Sequence, residues 1–148
     1  MSTTIGNSAS NFEDLISRRL QEEEERRAMS YKPASIVGLK PDGKEFKVDW
    51  ELIDELDPNQ RAILLCRYKE QTGSTEEKLP LDVIKILSLM KTDIRYKRGW
   101  IVLGGSGWTQ ALIDFYKQNL KEWIPNMQDK VHIISSTDEL SRVSFSDF

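Results

Sequence analysis

The residues best placed for chemistry form a glycine loop between an apolar run and an amphipathic one. Gly104-Gly105-Ser106-Gly107 follows the apolar stretch 99–103 and precedes a helical pattern that begins at Trp108. The free backbone N–H groups at the start of a helix can bind an anion. We therefore expect either an anion site or a tight turn at this loop.

This loop does not complete a familiar catalytic motif. Trp108 stands where a nucleophile elbow, G-x-S-x-G, requires its second glycine. Trp108 and Thr109 also replace the residues that complete a P-loop, and Gln110 replaces the third small residue of a dinucleotide-binding loop. The sequence therefore excludes these three motifs.

A second small-polar loop follows the next apolar stretch, 130–135. If the two stretches are parallel strands joined by a helix, both loops lie at one edge of the sheet, where open α/β sheets bind ligands. The alternative is a pair of well-capped helix starts. The predicted anion or phosphate site comprises Gly104, Gly105, Ser106, Gly107, Ser136 and Thr137.

The other reactive residue types are isolated along the chain. His132 and Cys66 are each the single residue of their type and stand among apolar neighbours, so we expect both in the core. The five carboxylates between residues 49 and 57 are expected to form a solvated acidic ridge, with a paired acid and base as the alternative. We therefore expect no enzyme activity, no catalytic residue, no metal ligands and no cofactor.

Positive charge is concentrated in the middle of the chain. Residues 85–124 carry seven Lys and Arg against three Asp and Glu, although the whole chain has a net charge of −3. A cluster in this segment could contact nucleic acid, either from a helix-turn-helix or beside aromatic rings that stack on bases. The alternative is a basic strand edge that discourages aggregation. The cluster consists of Lys91, Arg95, Lys97 and Arg98.

Length and composition indicate one domain in a reducing compartment. A chain of 148 residues can bury a core without disulfides or metal, and its one cysteine excludes an intrachain disulfide. No apolar run approaches the roughly 20 residues of a membrane span. The first residues lack the basic and apolar regions of a signal peptide. We therefore expect a soluble, cytoplasmic protein.

The hydrophobic patterns predict an α/β or α+β fold. Turn residues 40–44 separate two alternating stretches, 36–39 and 45–49, which predicts an N-terminal β-hairpin. Helical spacing predicts a helix that starts at Asp57-Pro58, a capping box at 74–77 and a helix over 81–90. The pattern over 95–135 predicts a C-terminal β-α-β unit with parallel strands.

The N-terminal helix is predicted to be a charged arm, because its second half carries no apolar face. We expect a flexible tail and helical arm over 1–30, a compact α/β domain over 31–140 and a tail over 141–148. The arm is expected to bind a protein partner or a second copy of the chain through Phe12, Leu15, Ile16 and Leu20. The alternative is a helix that packs on its own domain and frays into solvent at its charged end.

These features favour a non-enzymatic interaction or assembly subunit that acts through protein–protein contacts. Two other functions stay open. The first is nucleic-acid binding through the basic cluster at residues 91–98, and the second is anion or phosphate binding at the loops 104–107 and 135–138.

Overall fold

Five strands form one mixed sheet in the order β1-β2-β3-β4-β5 in the computed structural model, which describes residues 4–26, 29–71 and 78–148. The strands are β1 Met29–Leu39, β2 Glu45–Asp54, β3 Arg61–Tyr68, β4 Tyr96–Gly104 and β5 Val131–Ile134. The helices are α1 Ala9–Arg26, α2 Leu79–Thr92, α3 Gln110–Gln118, α4 Leu120–Trp123 and α5 Thr137–Arg142, with a 3₁₀ turn at Pro125–Met127. The predicted fold class is confirmed, whereas the predicted capping box at 74–77 lies outside the described residues.

The strand pairing matches the predicted hairpin and β-α-β unit. β1 and β2 are antiparallel, and their register runs from Met29 opposite Asp54 to Leu39 opposite Glu45. Gly43, with a φ of 86°, makes the turn between them. β4 is parallel both to β3 and to β5, so the chain crosses from β4 to β5 through α3 and α4.

Residues 61–68 form a strand rather than part of the predicted helix after Asp57-Pro58. The Asp57 carboxylate caps only a turn, where it accepts the Asn59 N–H at 3.1 Å, and the Gln60 N–H donates to the Asp57 carbonyl at 2.9 Å. β3 is the central strand of the sheet and is covered on both faces, so its apolar run is continuous. A short continuous run does not distinguish a buried strand from a helix.

α1 packs on one face of the sheet. Phe12, Ile16 and Leu20 are buried in a cluster with apolar side chains of β2, β3 and β4, and Leu15 packs against this cluster. The expectation of a docking arm is thereby corrected, because this stripe covers the apolar face of its own sheet. α2 and α3 cover the opposite face.

Segments near both ends of the described chain pack on the same side as α1. Ile5 is buried and forms an isolated parallel bridge with Gly104. Phe145 is also buried, and its ring meets Trp100 edge-on with 5.2 Å between the ring centroids. Residues that the sequence places in tails therefore contribute to the core, while residues 1–3 lie outside the described part of the chain.

The helix predicted to begin at Trp108 begins at Gln110 and is interrupted at Asn119, which ends α3 and precedes α4. Ile113, Tyr116 and Leu120 face the core, whereas Phe115 is 39% exposed. The buried stripe is therefore narrower than the apolar sector of the sequence. Within the described ranges, no helix has the length and apolar character needed to cross a membrane.

Candidate functional site

β2 and β3 separate in the middle of the sheet. They pair only between Trp50 and Ile53 on β2 and between Arg61 and Leu64 on β3, whereas β3 continues beside β4 to Tyr68. At the point of separation, the Asp49 carboxylate accepts the backbone N–H of Cys66 at 2.8 Å. Asp49 thus takes the place of a strand-pairing bond and is held beside the free half of β3.

Arg67 lies between two carboxylates at this point. Its Nε and Nη2 donate to the two oxygens of Asp82 on α2 at 2.9 and 3.0 Å, and its Nη1 lies 3.5 Å from Asp49 Oδ2. The Asp82 side chain is only 9% exposed, whereas that of Asp49 is 43% exposed. Such a two-pronged arginine contact fixes both position and orientation.

The guanidinium of Arg67 stays charged in this setting. Burial lowers its pKa, but the hydrogen bonds and the charge of Asp82, together with the charge of Asp49, raise the pKa above the ordinary value. Lys85, one turn further along α2, has its Nζ 3.9 Å from Asp82 Oδ1. Asp82 is therefore a buried carboxylate shared by two cations.

A cleft of about 230 Å³ opens beside this cluster. Three cations and one carboxylate line the cleft, so it attracts anions. The Trp108 ring forms one side, and Lys69 Nζ lies 5.4 Å from the centroid of that ring. The lining residues are Arg67, Lys78, Leu79, Leu81, Asp82, Lys85 and Trp108. We call this the β3–α2 cleft.

A second buried carboxylate, Glu51, joins four strands. It accepts hydrogen bonds from Ser35 Oγ on β1 at 2.9 Å, from Arg61 Nη1 on β3 at 3.1 Å and from Tyr96 Oη on β4 at 2.5 Å. Burial raises the pKa of Glu51, but these three hydrogen bonds lower it below its ordinary value. We assign Glu51 to the stability of the sheet.

The predicted basic cluster is not gathered on one surface. Tyr96 to Arg98 belong to β4, so the helix-turn-helix interpretation is wrong and the strand interpretation is correct. Arg95 is bound by both oxygens of Asp93, the shortest contact being 2.7 Å. Lys91 and Lys97 are exposed, whereas Arg98 lies in a separate cavity beside β5.

The glycine loop packs against its own chain. A side chain at Gly105 would lie 2.2 Å from the Lys69 carbonyl oxygen, and one at Gly107 would lie 2.6 Å from the Gln71 nitrogen. The Gly107 N–H donates to the Lys69 carbonyl at 2.9 Å. These glycines let the loop lie close to the segment after β3. Ligand binding at the loop, including Ser106, stays a prediction.

The second predicted loop contains a carboxylate of the chain itself. Ser136 Oγ accepts the Glu139 N–H at 3.2 Å, while Glu139 Oε1 accepts the Ser135 N–H at 3.2 Å. Lys117 Nζ contacts the same carboxylate and lies 2.9 Å from Ser135 Oγ. The two loops do lie at one edge of the sheet, but an anion at Ser136 and Thr137 must compete with Glu139.

Cys66 and His132 are both partly buried. Burial, followed by the charge of Asp49, raises the pKa of the Cys66 thiol. Burial, followed by the charge of Arg98, lowers the pKa of His132. At neutral pH the thiol is therefore protonated and the imidazole is neutral, and neither has the charge that a thiolate nucleophile or an imidazolium acid needs.

Comparison with known proteins places the fold and the cleft in context. The sequence matches the PD-(D/E)XK nuclease superfamily domain over residues 8–146. The chain belongs to this superfamily. No curated protein matches the sequence.

This match overturns three expectations from the sequence. The chain is not assigned as a non-enzymatic assembly subunit, because the matched domain is a nuclease domain and points to an enzyme. The emphasis on protein–protein interaction is wrong for the same reason. A function on nucleic acid, which was kept open as an alternative, agrees better with this match.

The superfamily name describes a signature of Asp followed by Asp or Glu, any residue and Lys. Literal matches to its last three positions occur at Asp42-Gly43-Lys44, Glu45-Phe46-Lys47 and Glu76-Glu77-Lys78. The first two lie at the exposed β1–β2 turn, where the Asp42 carboxylate accepts the Lys44 N–H at 3.0 Å, and they do not line a cleft. Two residues of the third lie outside the described ranges, and its Lys78 lines the β3–α2 cleft.

The signature is incomplete beside the β3–α2 cleft. Asp49 contacts the segment of β3 that reads Leu65-Cys66-Arg67, which has an aliphatic residue and an arginine two positions apart instead of an acidic residue and a lysine. A leucine has no ionisable group, so Leu65 cannot act as an acid. Asp82 of α2 contributes a further carboxylate to Arg67.

Asp82 in the cleft and Asp49 beside it do not fit a resident divalent cation in this arrangement. Nucleases commonly hold such cations on clustered carboxylates. Across 4–26, 29–71 and 78–148, no three His, Cys, Asp or Glu side chains cluster as a metal site. Asp49 and Asp82 instead share the Arg67 guanidinium. We therefore assign no catalytic step to a metal ion.

Proposed function

We propose that this chain acts on nucleic acid as a phosphodiester-cleaving enzyme of its superfamily, and that the β3–α2 cleft receives the phosphate. One observation carries the proposal: Arg67 lies between Asp49 and Asp82 where β2 leaves β3. Two carboxylates and a cation at one point supply the proton acceptor and the charge neutralisation that phosphodiester hydrolysis needs.

The cations of the cleft bind the phosphate in this proposal. The planar guanidinium of Arg67 matches the spacing of two phosphate oxygens as well as it matches the carboxylate of Asp82. Lys78 and Lys85 line the same cleft and add positive charge. An incoming phosphate therefore competes with Asp82 for Arg67, while Lys85 remains beside Asp82.

The carboxylates handle the proton. In hydrolysis a water oxygen forms a bond to phosphorus, the bond from phosphorus to the leaving oxygen breaks, and the water proton passes to a base. Asp49 Oδ2 accepts the Cys66 N–H, so Oδ1, the other oxygen of this 43% exposed side chain, is the atom assigned to accept that proton. The Lys85 ammonium is assigned to protonate the leaving oxygen.

Cleavage of labelled oligonucleotides tests this assignment. Single- and double-stranded DNA and RNA are incubated with the protein in Mg²⁺, Mn²⁺ or EDTA, and the products are separated on denaturing gels. Asp49→Asn should lower the rate by about 100-fold or more, because removing a catalytic base has an effect of this size. Asp42→Asn, at the literal signature in the hairpin turn, is the matched control and should cleave at the wild-type rate.

Two results would contradict the proposal: wild-type protein that cleaves none of these substrates, or an Asp42→Asn variant that loses activity while Asp49→Asn retains it.

Binding measurements separate the cleft from the predicted basic cluster. Lys85 and Lys91 belong to the same helix, but only Lys85 lines the cleft. Lys85→Gln should weaken oligonucleotide binding and reduce the slope of log K against log salt by about 0.7 to 0.9, since each phosphate contact releases counterions. Lys91→Gln should leave both unchanged. If Lys91→Gln weakened binding and Lys85→Gln did not, oligonucleotide binding would be assigned to the predicted basic cluster.

A further inference from the structure

A cavity of about 560 Å³ lies along the free edge of β5. β5 is the last strand of the sheet and pairs with β4 alone. α3 and α4 contribute Lys117 and Lys121 to the cavity, and the segment after α5 contributes Ser144 and Asp147. This cavity does not share a lining residue with the β3–α2 cleft.

Arg98 enters this cavity without a carboxylate partner. Within the described residues, its one hydrogen bond joins Nη1 to His132 Nε2 at 3.3 Å, and its buried Nε has no partner. An arginine has only donors, so His132 Nε2 is the acceptor and the imidazole is neutral. A guanidinium held against a neutral ring keeps its full positive charge available.

This arrangement is costly unless an anion completes it. A buried polar N–H without an acceptor costs about 1 to 3 kcal/mol, and charged groups cost more. Among the described residues of the cluster predicted from the sequence, Arg95 has its carboxylate in Asp93, but Arg98 has none. The missing partner of Arg98 is therefore an acceptor that the chain does not supply.

Further positive charge surrounds Arg98. Lys121 and Arg142 also line the cavity, and neither is paired with a carboxylate in the described part of the chain. Glu139, one of the three acidic residues in the lining, is already neutralised by Lys117. The other two are Asp129 and Asp147, so three unpaired cations face two unpaired carboxylates.

We infer that the β5-edge cavity is a binding site for a phosphoryl group, with Arg98 as its principal ligand. Phosphate oxygens accept hydrogen bonds from a guanidinium in pairs, and a phosphoryl group beside Arg98 would neutralise a cation that has no carboxylate partner in the described residues. The cavity volume lies within the range that holds a small molecule such as a mononucleotide. The phosphoryl group can come from free phosphate or from the terminal phosphate of a nucleotide or oligonucleotide.

Calorimetric titration of the full chain tests this site. The ligands are inorganic phosphate, a nucleoside 5′-monophosphate, and a pair of identical oligonucleotides with a 5′-phosphate or a 5′-hydroxyl. Arg98→Met should weaken phosphate binding by about tenfold or more, which is the loss expected for a charged hydrogen bond. Arg95→Met, the same substitution at a residue bound to Asp93, is the matched control and should change the affinity by less than about twofold.

The pattern of ligands identifies the source. Equal affinity for inorganic phosphate and the monophosphate indicates a site for free phosphate, whereas preference for the monophosphate or the 5′-phosphorylated strand indicates a terminal phosphate. Both results support the site.

Urea unfolding of the same variants provides a second measurement. Arg98→Met should be as stable as wild type or more stable in phosphate-free buffer, because it removes a cation without a partner. Three results overturn the inference: absence of binding at millimolar phosphate, equal binding by wild type and Arg98→Met, or destabilisation by Arg98→Met in phosphate-free buffer. The last would show a purely structural role. Because the site does not share a residue with the β3–α2 cleft, these results are independent of the cleavage assay.

Discussion

Removal of one partner from the Arg67–Asp82 pair should destabilise the protein more than removal of both. Arg67→Met would leave Asp82, which is only 9% exposed, without the two hydrogen bonds of 2.9 and 3.0 Å that it now accepts. Within the described residues, the ion pair that this carboxylate would retain is the one with Lys85, whose Nζ lies 3.9 Å away. A buried carboxylate without a partner is a costly feature of a folded state.

The expected magnitude follows from the burial of the pair. Breaking a fully buried ion pair costs about 3 to 5 kcal/mol. The Arg67 side chain is 34% exposed, and Lys85 retains part of the attraction, so we expect Arg67→Met to lower the free energy of unfolding by about 2 kcal/mol. The double variant Arg67→Met/Asp82→Leu should recover to within about 1 kcal/mol of wild type, because neither charge is left alone.

Urea unfolding followed by tryptophan fluorescence measures these differences directly. Arg95→Met is the control, because it removes the more exposed ion pair between Arg95 and Asp93. It should lower the free energy of unfolding by less than about 1 kcal/mol. The reasoning is refuted if Arg67→Met unfolds at the wild-type urea concentration, or if the double variant is less stable than Arg67→Met alone.

Three further predictions concern the fold. Gly105→Ala should lower the free energy of unfolding by about 2 kcal/mol or more, because the new Cβ would lie 2.2 Å from a backbone oxygen. Gly43→Ala, also at positive φ but in open space, should lower it by about 1 kcal/mol. Equal urea midpoints for the two variants would contradict this prediction. Leu20→Ala should lower the free energy of unfolding by about 2 to 5 kcal/mol, because Leu20 is buried. Leu56→Ala, at a side chain that is 85% exposed, should lower it by less than about 0.5 kcal/mol. A Leu20→Ala variant as stable as wild type would show that α1 is not part of the core. Glu51 has a lowered pKa, so its contribution to stability is present at neutral pH and is lost as the pH falls through its pKa in the folded state. The free energy of unfolding of wild type therefore falls between about pH 6 and about pH 3, and that of Glu51→Gln should fall less. An unchanged pH profile would contradict this assignment.

The sequence predicts the outer strands and the last β-α-β unit because local patterns specify them. Alternation around the 40–44 turn indicates the hairpin, and polar loops delimit the strands on both sides of α3. β3 has no such local pattern, since burial on both faces makes its run uniformly apolar. Burial of α1 is not evident from the sequence either, because the apolar cluster that it joins takes side chains from all five strands, most of them distant from α1 in sequence.

The candidate site is hidden from the sequence for a related reason. Asp49, Arg67 and Asp82 belong to β2, β3 and α2, and only the sheet and the packing of α2 bring them together. In the sequence, Asp49 is one of five acidic residues between 49 and 57 and does not stand out among them. Arg67 does not match the lysine of the superfamily signature. Arg98 was recognised as a basic residue, but its unpaired Nε depends on its contact with β5.

The nucleic-acid assignment is tested most directly by the tryptophan indole signals in a ¹H–¹⁵N spectrum during titration with an oligonucleotide. Trp108 lines the β3–α2 cleft, and its indole N–H donates to the Gly104 carbonyl at 2.9 Å, whereas Trp123 is 76% exposed on α4 and lies outside the cleft. We predict that the Trp108 signal shifts on binding to wild type and not with Arg67→Met, while Trp123 stays in place. An oligonucleotide that binds without moving Trp108, or that moves Trp123 instead, would contradict the assignment of the cleft.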